Sequence, residues 1–201
     1  MTIKEQIRRS ARGILFVSLT MSFPCNPAAA NNWYPKSADP YPGTAFHCDL
    51  KGLPPDMPGI KPEDREFIDH ACAVLLKCAQ EKELMLTALN NNKGEQALPR
   101  YEKAVREQLE KLKTVSPPSG LEPFKADVVK AISLQIDFFR KAVKAKAAKE
   151  DINRIMAIPE GKQASQYLFA AWDEIQRRYL FFWGGTSKDC IFHHLCAFDL
   201  F

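Results

Sequence analysis

No reaction is spelled out in this chain. It has no C-x2-C or H-x3-H pair, no C-x-x-C-H haem attachment, no glycine-rich phosphate loop and no Glu-x-x-His pair. These absences remove the motif-bearing zinc, haem, nucleotide and di-iron classes. No segment alternates apolar and polar residues as a half-buried strand does, and no stretch repeats elsewhere in the chain. Past the first thirty residues nothing approaches eighteen uninterrupted apolar residues, so no spanning helix is expected there.

The first thirty residues have a different character. Lys4, Arg8, Arg9 and Arg12 precede the eleven-residue stretch "GILFVSLTMSF" (13–23), and small residues follow in "NPAAA" (26–30). That order reads as a secretory signal cleaved near Ala30. An eleven-residue stretch is too short to cross a hydrocarbon core of about 30 Å. The 201-residue chain carries a formal charge of +4, and residues 1–30 hold four basic residues against the single acid Glu5. Three of the four net charges therefore belong to the signal. The rest is close to neutral, which leaves no global electrostatic case for nucleic acid. The expected product is an exported soluble protein, periplasmic or secreted.

Residues 31–62 hold seven prolines, at 35, 40, 42, 54, 55, 58 and 62. Proline removes a backbone donor and restricts the residue before it, so neither helix nor central strand fits. Trp33, Tyr34, Tyr41 and Phe46 make the segment too aromatic for a solvated tail. It reads as an extended arm laid across the helices.

From residue 63 to 201 the period is helical. Phe67, Ala71, Val74, Cys78, Met85 and Leu89 recur at helical spacing after Pro62, and "NNNKG" (90–94) ends the run. Leu98, Tyr101, Val105, Leu109 and Leu112 mark a second helix to Val115, with Glu102/Arg106, Arg106/Glu110 and Glu107/Lys111 as i,i+4 pairs. "SPPSG" (116–120) breaks it. A third helix spans about 123–149 and a fourth about 163–182, separated by "INRIMAIPEGK" (152–162). The expected fold is all-α, an antiparallel four-helix bundle with a Pro-rich N-terminal arm and a disulfide-tethered C-terminal tail.

Five cysteines follow residue 30: Cys48, Cys72, Cys78, Cys190 and Cys196. On one regular helix Cys72 and Cys78 stand about 120° and about 9 Å apart. A disulfide needs Cα atoms within roughly 7 Å, so each must look to another segment. Cys190 and Cys196 repeat the same spacing. The simplest pattern staples the tail to the first helix twice and leaves Cys48 over.

All four histidines lie within three positions of a cysteine. Imidazole and thiolate together suit zinc or copper. His193 and Cys196 are i,i+3 and can chelate, with His70 as a ligand from elsewhere; this is the alternative reading, a periplasmic Zn or Cu protein. Glu63, Glu66 and Asp69 beside His70 read more simply as acids near a helix N-terminus. No catalytic residue is assigned, and a thiol enzyme would need one hyper-reactive cysteine. "RKAVKAKAAK" (140–149) reads as a solvated face able to meet anionic lipid or an acidic partner. "YLFFW" (179–183) is apolar all round and needs cover. The tail "CIFHHLCAFDLF" (190–201) is its natural cover, folded back with its histidines near the surface. The leading functional expectation is non-catalytic binding of a protein or envelope partner through Tyr179, Phe181, Phe182 and Trp183, together with the arm.

Overall fold

A computed structural model describes residues 59–179 and 186–200, with side chains from Ile191 onward in the second stretch. The expected signal, the arm up to residue 58, Cys48, and the side chain of Cys190 lie outside what is described, as do Phe181, Phe182 and Trp183.

Every regular element among the described residues is a helix: α1 (Pro62–Asn90), α2 (Gly94–Thr114), α3 (Glu122–Ala147), α4 (Ile152–Met156), α5 (Pro159–Arg178) and α6 (Thr186–Phe198). The all-α expectation holds. Proline opens α1 and α5 in the first turn, where a missing N–H costs nothing. α1 stops at Asn91, and Asn92 takes a left-handed φ of 56°, which asparagine tolerates better than most residues. α2 begins at Gly94, earlier than expected, and carries Pro99 inside it. The short α4 is capped by Asp151, whose carboxylate accepts from the Asn153 N–H at 2.7 Å. No helix is long and apolar enough to cross a membrane among the described residues.

α3 packs along α5, and α1 packs along both α2 and α6; α2 also meets α3, and α6 meets α5. Phe67, Phe124, Phe138, Phe139 and Tyr101 are buried at the centre. Tyr101 and Phe139 meet edge-on at 4.8 Å, and Phe138 and Phe139 at 5.3 Å, the geometry aromatic quadrupoles prefer.

The C-terminal segment folds back onto α1 as expected, but as a helix. Helical period puts Ile191, His194, Leu195 and Phe198 on one side, and all four are buried. The expectation of surface histidines therefore fails for His194, which has no exposed area, while His193 is half-buried. The end of α6 is held by buried polar side chains. Lys82 of α1, 5% exposed, donates to the carbonyl oxygens of Ala197 at 2.7 Å and Asp199 at 2.6 Å. Gln135 of α3 donates to the Phe198 carbonyl, and Ser165 of α5 donates to the Asp199 carboxylate. Helix ends leave carbonyls without intrahelical partners, and here α1 and α3 supply the donors, while α5 holds the Asp199 side chain.

The run at 140–149 also departs from expectation. Arg140 donates from two nitrogens to Glu102, the Nη2 bond at 2.9 Å, tying α3 to α2. Lys141 pairs with Glu160 and ties α3 to α5. Two of its cations are thus spent between helices. Glu102, expected to pair along its own helix, reaches across instead.

Candidate functional site

A groove of about 970 Å³ opens where the start of α1, the loop between α2 and α3, and the end of α5 converge. Its rim includes Lys61, Pro62, Glu63 and Glu66 from α1's first turns and Ser116, Pro117, Pro118 and Ser119 from the loop. Buried Asp64, Phe67 and Asp69 and half-buried His70 and Arg178 line it further in.

One ion pair sets its shape. Asp64, 2% exposed, accepts from Arg178 Nε at 3.0 Å and from Nη2 at 2.8 Å, and from the Tyr179 hydroxyl at 2.7 Å. The Arg178 guanidinium also lies 5.7 Å from the centre of the Tyr179 ring. Burying a carboxylate is costly unless charge and hydrogen bonds are returned to it, and this fork returns both. Burial pulls the Arg178 guanidinium down, yet its bonds to Asp64 and Tyr179 hold it above its usual value. Burial, reinforced by the Asp64 carboxylate, pushes the Tyr179 hydroxyl up. Both groups stay protonated at neutral pH. The cluster is a clamp between the start of α1 and the end of α5, separated by 114 residues of chain.

The loop wall is fitted to that clamp. Gly120 has a φ of +87°, and a Cβ there would stand 2.3 Å from Arg178 Nη1. Only glycine gives both the left-handed turn and the close approach. Lys125 secures the near side, donating to the carbonyls of Lys113 at 2.7 Å and Val115 at 2.6 Å.

The chain matches no protein-family model, no curated protein and no solved structure. Its site rests on geometry alone.

The expected site residues fall in different places. Tyr179 is 5% exposed and turned inward onto Asp64, so it shapes the groove from behind. His70 lines the groove. Its Nε2 is buried and has no hydrogen-bond partner among the described residues. Cys196 faces a separate small cleft between α5 and α6, with Leu168, Phe169, Trp172, Phe192, Leu195 and Asp199. His193 stands on α6 with its ring 6.3 Å from that of Phe192. No group of three or more His, Cys, Asp or Glu side chains is gathered for a metal ion among the described residues. Cys72, Cys78 and Cys196 are free thiols here, and no disulfide occurs among the described residues. Burial pushes the Cys196 thiol up to about 12, with Asp199 adding to it and Lys82 opposing. Burial likewise raises Cys72, helped by Asp69, and Cys78, helped by Glu81. Thiols held neutral are poor nucleophiles and poor ligands.

Asp64 and Arg178 were not singled out in the sequence. Asp64 looks like one more acid in a helix's first turn, and Arg178 like one more cation in a last turn. Only the fold joins them.

Proposed function

We propose that this protein is exported and acts by binding a protein or envelope partner, without catalysis, at the groove between the start of α1 and the end of α5. The observation that carries this is the groove itself. It is large, it is walled by prolines and by the Asp64–Arg178 clamp, and its polar groups are fixed in place. A rigid rim with a few oriented charges suits recognition. Export rests on the first thirty residues alone, through the basic start, the short apolar stretch and the small residues before Asn31. We take α1, α2, α3 and α5 as an antiparallel four-helix bundle with α6 laid over α1 and α5, a reading supported by short connections and the pairwise packing.

The test is site-specific photocrosslinking in intact cells. A crosslinking residue at exposed Ser119, on the rim, should give a discrete adduct of higher mass with an identifiable partner. The same residue at exposed Lys103, on α2, should not. Equal adducts from both positions, or none from Ser119, would remove the groove as the binding site.

A further inference from the structure

We propose that the end of the helical domain opposite the groove is a docking surface for an anionic lipid bilayer, which leaves the groove facing away from the membrane. The reading of the groove is not needed for this, and the two are tested separately.

Three observations meet there. The first is where the unspent cations stand. Gly94, at the turn from α1 into α2, lies against Val143 of α3, and Lys141 of α3 pairs with Glu160 of α5. The end of α1, the start of α2, the end of α3 and the start of α5 are therefore one end of the domain, with α4 between the last two in sequence. It carries Lys93, Lys144, Lys149, Arg154 and Lys162, all exposed, and half-exposed Lys146. Arg140 and Lys141 are spent on Glu102 and Glu160, but none of these six has an ion pair or a side-chain hydrogen bond among the described residues. Residues 93–95 and 140–162 hold eight cations against four acids. At the groove the balance reverses, with four cations against six acids in residues 61–70 and 173–178. Charge separated in this way orients a molecule near a charged surface even where the net charge is small.

The second is that three of these lysines stand where the backbone favours something else. Lys149 follows the C-cap of α3 with a φ of 58°, and the Glu150 N–H closes the turn on the Ala145 carbonyl at 2.9 Å. Glycine is the usual residue at that position, because a Cβ is strained there. Lys93 is the N-cap of α2 without a capping bond, and Lys162 lies in the opening turn of α5. Helix N-termini repel cations. Side chains that break local rules with no contact to offset the cost point to a use outside the fold.

The third is the kind of cation. Five of the six are lysines. A lysine is a compact charge on a flexible stem, suited to a diffuse anionic surface, whereas recognition of one carboxylate or phosphate favours the planar fork of arginine. Each such cation near an anionic bilayer strengthens binding by roughly fivefold, so a cluster of this size is enough to hold a protein there.

The experiment is co-sedimentation of the natively processed chain with vesicles of phosphatidylcholine, pure or with about a third phosphatidylglycerol, at about 0.05 M salt. It should bind the anionic vesicles alone and lose at least about tenfold in affinity at about 0.3 M salt. Lys93→Gln, Lys149→Gln and Lys162→Gln together should weaken binding by about a hundredfold. The charge-matched set Lys77→Gln, Lys103→Gln and Lys130→Gln, exposed along α1, α2 and α3, should change it by less than about threefold. Lys149→Gly alone should weaken binding about fivefold while raising the unfolding midpoint, the opposite of what a structural lysine would do. No binding to anionic vesicles, equal binding to pure phosphatidylcholine, or equal losses from the two triple variants would overturn the proposal. Tighter binding to polyglutamate than to the vesicles would also overturn it and make the partner an acidic protein. Lipid binding without a crosslinked partner at Ser119 would keep this surface and remove the groove, and the reverse result would do the opposite.

Discussion

Cys196 shows how far a single side chain's surroundings decide its chemistry. Its thiol is raised from the ordinary 9.0 to about 12 by burial, so its thiolate share at pH 8 falls about a thousandfold. Cys72 and Cys78 are more deeply buried and shifted the same way. In the native protein at pH 8, iodoacetamide should leave all three unlabelled over an hour while urea exposes them, as read by peptide mapping. A cysteine that labels fast in the native state would contradict this burial. One that resists in urea until a reductant is added would reveal a disulfide. The histidines make the companion point. Their nearness to cysteines in the sequence suggested shared ligation, but His70 sits in the groove while Cys196 faces the cleft between α5 and α6.

At the scale of elements, much was legible. The apolar period and the Pro and Gly punctuation placed α1, α2, α3 and α5 within a turn or so of their true bounds, because burial on one face is what stabilises them. α6 was missed as a helix. Its apolar positions do recur at helical spacing, yet His194 sits among them and reads as polar. The buried ion pair between Asp64 and Arg178 was not legible at all, since neither residue's neighbours announce the other. Interhelical pairs were hidden for the same reason. Glu102 is the testable case. Its hydrogen bonds to Arg140 hold its carboxyl below the usual value, against a smaller opposing effect of burial. A depressed folded-state value means the stabilisation is complete above the ordinary carboxylate range and is lost as pH falls through the folded value. Glu102→Gln should therefore lower stability at pH 7 by about 0.5–1 kcal/mol, the scale of a partly exposed pair. Urea unfolding should show that gap closing at pH 2. A gap of equal size at both pH values would mean that Arg140 gains nothing from the charge.

For the whole molecule, the closing contact is the one between α6 and α1. α6 brings Ile191, Leu195, Phe198 and Leu200 into the core, but apolar burial does not choose where a helix ends. Lys82 does choose. Its ammonium is buried and bonded to the Ala197 and Asp199 carbonyls, with Glu83 3.8 Å away, so charge, register and helix end are fixed together. Gln135 and Ser165 add donors from two more helices, which makes α6 the piece on which α1, α3 and α5 agree. Lys82→Met keeps the length and apolar stem while leaving two carbonyls without their donor. That should cost about 2–4 kcal/mol, since each buried group left unmet costs about 1–3 kcal/mol. The denaturation midpoint should fall, and amide exchange should quicken most in residues 191–200, ahead of α3. Uniform loss of protection across all helices would show that Lys82 supports the core in general. Unchanged stability would show that water replaces it at the helix end. Either result would remove Lys82 as the fastener, whereas selective loosening of α6 would establish that one buried cation decides how this helical domain closes.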